Sequence, residues 1–131
     1  MSEQFERASD EQRAQTVVAY SSVPMAQLAP GAHSHIMTGE KMTLSFAHLE
    51  AGSYFPVHTH PYEQMMVVLK GELDAVLEGK LYRMGPGDVI FFPEGLVHGA
   101  QMRDVDCEIL DVFTPARPDY IEKMRQARAV G

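Results

Sequence analysis

Tryptophan is absent and cysteine occurs once, at Cys107, so no internal disulfide can form and no disulfide framework can hold this fold. Basic residues are scarce. Eleven Lys and Arg stand against 18 Asp and Glu, a formal net charge of -7, and the electrostatic footprint of a nucleic-acid or anionic-membrane binder is missing. No long apolar run and no charged-then-apolar leader is found, so the expectation is a soluble protein of the cytoplasm that does not engage a membrane. Internal repeats and low-complexity tracts are also lacking. What remains is a chain of 131 residues, 45% hydrophobic, which suits one domain burying roughly two-thirds of its unfolded surface.

Residues 1–15 are polar, with Phe5 and Met1 as the large apolar groups, and cannot bury enough surface to offset their ordering entropy. They read as a mobile N-terminal arm, with an exposed or partner-docked helix as the alternative, and residues 16–131 as a single domain. From Thr16 onward, short apolar segments are cut by Gly and Pro, the pattern of an all-β sandwich or barrel. Met42, Leu44 and Phe46 alternate with Thr43 and Ser45, which predicts a half-buried strand with the apolar set inside. Met65 to Leu69 is a continuous apolar run suited to a central strand. Val89 to Phe92 and Cys107 to Phe113 are later strands, and Met84-Gly85-Pro86-Gly87-Asp88 is a turn. Tyr120, Ile121 and Met124 recur at helical spacing over residues 119–128, predicting a short C-terminal helix across an open barrel end.

Six histidines are present, four of them in two His-x-His pairs. On a strand, His58 and His60 would point to one face, Gln64 would share that face if the strand runs on, and His98 follows Pro93 and Gly95. Three imidazoles and an amide oxygen suit one divalent transition metal with open positions for substrate. Glu63 should point away from His60, so Gln64 is preferred as ligand over Glu63 reached through a bulge. His33 and His35, between Gly31 and Gly39, read as structural, with substrate contact near a barrel mouth as the alternative, and His48 reads as structural. The nine methionines read as adaptable filling. Asp111 and Phe113 share a strand face. A carboxyl on an inward face beside a cation is how a general acid or base is tuned, and Arg117 between two prolines could clamp a substrate carboxylate. An Asp111–Arg117 ion pair fastening the last strand to the tail is the equal alternative.

Gly52, His58, His60, Gln64 and Gly71, followed by Gly87, Pro93, Gly95 and His98, fit the spacings of the two motifs of the cupin superfamily, which the sequence resembles over about residues 20–115. Gln64 stands where cupins usually carry Glu, and Met102 where they usually carry Asn. A neutral ligand set leaves a bound metal the stronger Lewis acid and provides no ligand-derived base. The resemblance implies a double-stranded β-helix, or jelly-roll barrel, with a short C-terminal helix. It also implies a homodimer, for which the edge-strand problem is a physical motive.

HTHPYEQ, PGDVIFFPEGLVHGA and LDVFTPARPDY further resemble the small cupins of pectin and alginate breakdown that linearise 4,5-unsaturated uronates. That likeness implies metal ligands at His58, His60, Gln64 and His98, an acid/base Asp111, an aromatic Phe113 and a carboxylate-binding Arg117. The metal would be nickel, zinc, manganese or iron, and the substrate a small sugar acid opened to its 5-keto-4-deoxy form. An iron-dependent cupin dioxygenase and a non-enzymatic metal- or ligand-binding cupin are the alternatives.

Overall fold

The computed structural model describes residues 4–130. Two antiparallel sheets face each other. One holds β1 (Met25–Ala29), β2 (Ala32–Thr38), β3 (Thr43–Leu49), β10 (Cys107–Thr114), β5 (Glu63–Lys70) and β8 (Val89–Phe92), in the spatial order β1-β2-β3-β10-β5-β8. The other holds β4 (Tyr54–His58), β9 (His98–Met102), β6 (Leu73–Leu77) and β7 (Lys80–Met84), in the order β4-β9-β6-β7. This is the jelly-roll arrangement expected of a cupin. Leu49, Val68, Leu73, Phe92 and Cys107 fill the space between the sheets at one end. At the other end Ala26, Ile36 and Phe113 pack against Tyr120 and Met124 of helix α2 (Pro118–Val130), which lies on β1 and β2.

Local chemistry accounts for the connections. Between β7 and β8, Gly87 takes a φ of 89°, while the Asp88 carboxylate accepts the Gly85 N–H at 2.9 Å. Gly71 is required for a different reason: at φ 79°, a Cβ there would lie 2.1 Å from the Asp106 carbonyl oxygen. Near the N-terminus, Asp10–Thr16 form helix α1, held by a capping box in which Ser9 and Gln12 satisfy each other's backbone N–H. None of its residues is buried, so residues 10–16 adopt the exposed-helix alternative for the arm. Residues 1–3 of that segment lie outside the described residues.

Two strand expectations need correction. In β3 the inner face is Thr43, Ser45, Ala47 and Leu49, whereas Leu44 and Phe46 are half-buried on the outside and Met42 precedes the strand. Small polar groups are tolerated inside because they are satisfied. The Ser34 and Ser45 hydroxyls bond each other across β2 and β3, and Thr43 Oγ1 accepts the Arg117 N–H at 2.9 Å. In β5, Met66 and Val68 are buried, but Met65 and Leu69 are exposed, because only one face of this strand is covered.

Candidate metal centre

β4 ends at His58, so the strand that was to carry both His58 and His60 stops between them. His60 lies in the crossing from β4 to β5, and Gln64 is the second residue of a strand in the opposite sheet. Convergence comes from the two sheets closing over one point rather than from a shared strand face. His98 opens β9 directly opposite His58 in register, and Gln64 lies between Phe113 and Phe92 in register on the six-stranded sheet. Ligand-type nitrogens of His58, His60 and His98 all lie within 4.8 Å of one another, forming a group able to hold a metal ion. Glu63 is exposed, while Gln64 is buried and faces inward.

The donor set fits a cation. His58 Nδ1 is 2.8 Å from the Pro56 carbonyl, and His98 Nδ1 is 2.9 Å from that of Leu96. A carbonyl only accepts, so each Nδ1 carries the proton and each Nε2 presents a bare lone pair. Gln64 donates through Nε2 to Asp111 Oδ1 at 2.7 Å, which turns its Oε1 towards His98 Nε2 at 3.1 Å and His60 Nε2 at 3.0 Å. An oxygen and a nitrogen lone pair therefore face each other at His98, an arrangement a cation relieves. Protonation does not relieve it readily: burial, with the neighbouring His58 and His60, holds His98 down to about 4 and lowers His60 as well. Among the described residues, His60 Nδ1 is buried without a hydrogen-bond partner.

Asp111 and Phe113 both point inward from β10. Full burial pushes the Asp111 carboxyl up to about 7, against the Gln64 hydrogen bond and the positive charge of Arg117, which act to lower it. Arg117 is buried, with its guanidinium carbon 3.9 Å from the Tyr120 ring centre, 4.7 Å from Phe113 and 5.3 Å from Tyr62. Its ion-pair partner is not Asp111. Arg117 Nε and Nη2 donate to the two carboxylate oxygens of Asp119 at 2.9 and 3.0 Å. Partial burial would raise Asp119, but these bonds and the guanidinium charge win and hold it below the ordinary carboxylate range. The fork used by Asp119 leaves Nη1 and the outer edge of the guanidinium for a second anion.

Tyr120, Tyr62 and Asp119 complete the surroundings of Arg117 and were not singled out by sequence reasoning, in which Tyr120 counts only as an apolar helix position. The signal was the clustering of acid and aromatic residues two and three places after Arg117. His58, Gln64, His98, Asp111, Arg117 and Tyr120 line one cavity between the two sheets. His33, His35 and His48 are elsewhere, on the outer face of the six-stranded sheet. Cys107 is in the core, where burial pushes its thiol up to about 11 and removes it as a nucleophile.

A jelly roll of this topology with inward histidines defines a class, and the comparisons agree. Residues 45–113, more than half of the chain, match the cupin domain model, and the protein belongs to the cupin family. Within that family it is a small cupin similar to pectin-degradation proteins. It is 24% identical over 100 residues to pectin degradation protein KdgF of Dickeya dadantii, covering 75% of this chain and 91% of that protein. The structure of KdgF from Halomonas sp. matches with a TM-score of 0.69 at 26% identity, over 73% of this chain and 89% of that one. A 58-residue stretch, 44% of the chain, is 40% identical to dimethylsulfoniopropionate lyase DddQ of Ruegeria pomeroyi, although the chain spans only 29% of that enzyme's length. Among the described residues, no helix is long and apolar enough to cross a membrane.

Proposed function

We propose that the protein is a metal-dependent sugar-acid enzyme that converts a cyclic 4,5-unsaturated uronate into its open-chain 5-keto-4-deoxy form. The observation that carries this reading is the buried Asp111 carboxyl, tuned to about 7, lining one cavity with His58, His98 and Arg117, next to the third converging imidazole, His60. The similarity to KdgF over most of both chains supports the choice of substrate class. His58, His60, Gln64 and His98 would hold one divalent ion, whether nickel, zinc, manganese or iron, and that ion would supply Lewis acidity when bound.

The chain's own groups account for the remaining steps. The outer edge of Arg117 binds the substrate carboxylate; Phe113, expected against the sugar, is 1% exposed and instead lies 4.7 Å from the guanidinium carbon, which it supports from within the core. Asp111 in its ionised form takes the proton of the hemiacetal hydroxyl. The bond from the anomeric carbon to the ring oxygen then breaks, giving an aldehyde and an enolate. The protonated Asp111 returns a proton to the carbon at position 4, so that the enolate becomes the ketone and the carboxylate is regenerated. No electron is transferred and no organic cofactor is consumed. A carboxyl titrating near neutrality suits both directions of that transfer. In this reading residues 16–131 act as one domain behind the arm of residues 1–15, in the cytoplasm, as a homodimer.

The test follows the ultraviolet absorbance of a 4,5-unsaturated galacturonate with metal-loaded protein, chelator-treated protein and protein with metal restored. Metal-dependent loss of absorbance above the spontaneous rate is expected. With metal occupancy verified, an unchanged rate overturns the uronate assignment; oxygen uptake or tight ligand binding without turnover would then replace it with the dioxygenase or binding reading.

A further inference from the structure

The cavity that Asp111 lines does not end at Arg117. His58, Arg117 and Tyr120 line both the inner cavity and an opening outside it, where Asp119 and Lys123 of helix α2 join them. Arg117 therefore stands at the neck, with Asp111 on its inner side and Lys123 on its outer side. Its charge is already paired: Asp119 accepts from Nε and Nη2, and the two charges cancel. A carboxylate arriving at the free edge of the guanidinium meets a well-oriented donor in a neutral pair, whereas an anion leaving water needs a net positive charge beside it.

Lys123 is the charge that remains. Lys41, Lys70 and Lys80 are exposed, but Lys123 is half-buried, and among the described residues it enters no ion pair. Asp119 precedes it by four residues on α2, so the two share a helix face, and a long helical side chain leans back over the preceding turn, here towards Arg117 and the opening. The neighbouring Glu122 is engaged elsewhere, with Arg125 at 3.7 Å and the Gln126 amide at 3.5 Å. Leu28 and Ala29 of β1 line the same opening, an apolar bed for the methylene stem that leaves the ammonium at the mouth. A half-buried ammonium without a counter-ion has lost hydration for which the ligand-free chain supplies no compensation.

We infer that Lys123 is the second cation of the substrate-binding site: it closes on the carboxylate held by the free edge of Arg117 and sets the preference for a charged over a neutral sugar. The inference rests on the proposed uronate reading for its substrate. Arg117, Asp119 and Lys123 together give the opening one net positive charge, in a chain whose formal net charge is -7. A monocarboxylate brings that local count to zero, whereas a neutral sugar leaves Lys123 unpaired. The two cations act differently. Arg117, fixed by Asp119 and the rings of Tyr120, Phe113 and Tyr62, gives direction, and Lys123, a point charge on a flexible stem, gives attraction. At the mouth of an otherwise acidic molecule it also draws the anion in, an effect that salt screens.

Steady-state kinetics of metal-loaded protein with 4,5-unsaturated galacturonate, and with its neutral methyl ester as competitor, test this. Lys123→Gln should raise KM for the acid about 10-fold with kcat within about 3-fold, while inhibition by the ester stays within about 2-fold of wild type. Lys123→Arg should bring KM for the acid back to within about 3-fold of wild type. Lys80→Gln, at the exposed start of β7, should leave it unchanged. Raising sodium chloride from about 20 to about 200 mM should raise KM more in the wild type than in Lys123→Gln. An unaltered KM for the acid in Lys123→Gln, or acid and ester weakened alike, overturns the inference and leaves the uronate reading standing. If the wild type does not turn over the acid, that reading fails by itself, and calorimetric titration with saturated galacturonate decides the inference. Binding about 10-fold weaker in Lys123→Gln then supports it, and equal binding or none overturns it.

Discussion

Asp111 accepts a hydrogen bond from the Gln64 amide at 2.7 Å and is otherwise enclosed, so its proton affinity is set by burial rather than by solvent. Asp111→Asn keeps the volume and removes the proton acceptor. Turnover should fall by about 10²–10⁴-fold, the range for loss of a positioned acid/base, with metal content by elemental analysis unchanged. Near-normal turnover in a metal-replete variant would remove Asp111 from the chemistry. Asp119 has a different expected effect, because it touches Arg117 and lies outside the reacting centre. Asp119→Asn would take the charge from the guanidinium fork while Tyr120 still stacks on it, so Arg117 keeps its charge but loses its fixed orientation. Steady-state kinetics should show KM raised by about 10-fold with kcat within about 3-fold, the pattern of lost substrate binding rather than lost chemistry. A fall in kcat at constant KM would contradict a positioning role.

Strands were legible in outline because turn residues bracket them, but the direction each face takes was not. In β3 the apolar residues Leu44 and Phe46 alternate cleanly with Thr43, Ser45 and Ala47, and periodicity alone places the apolar set inside. The structure reverses this because Ser34 and Ser45 satisfy each other on the inner face, a pairing between strands that no single segment reveals. The same pair supplies an energetic test. Ser34→Ala would strand the Ser45 hydroxyl in a buried position, at a cost of about 1–3 kcal/mol in denaturant unfolding, whereas the double change to Ala should recover most of that loss. A single variant as stable as wild type would mean that the inner hydroxyls find other partners. The histidine cluster was legible for a related but opposite reason. Its members were recognisable by spacing, yet the geometry invoked for them, a strand continuing from His58 to Gln64, does not exist. The chain leaves one sheet at His58 and joins the other at Glu63, and Gln64 meets His98 across the barrel.

At the scale of the whole molecule, the site places three perturbed titrations in one buried volume with opposing effects on stability. His98, held at about 4, and His60, also lowered, bind fewer protons folded than unfolded once pH falls below their ordinary value of 6.5. Their contribution is therefore present at neutral pH and is lost as pH falls, so it makes stability rise with pH up to about 6.5. Asp111 acts in reverse. Its folded value of about 7 lies above the ordinary 3.8, so the folded chain holds an extra proton between those limits and stability falls as pH rises through them. For metal-free protein, the His98 and Asp111 effects largely offset each other between about pH 4 and 6.5, so urea midpoints should vary less with pH across that window than either group alone would produce. Above it, Asp111 acts alone and the curve should turn down towards pH 7. Asp111→Asn removes the opposing term, so its midpoints should climb more steeply than wild type below pH 6.5 and show no downturn above it. A variant whose profile superimposes on wild type would mean that the Asp111 carboxyl titrates in the ordinary range, which would also withdraw the tuned proton carrier on which the proposed ring opening depends.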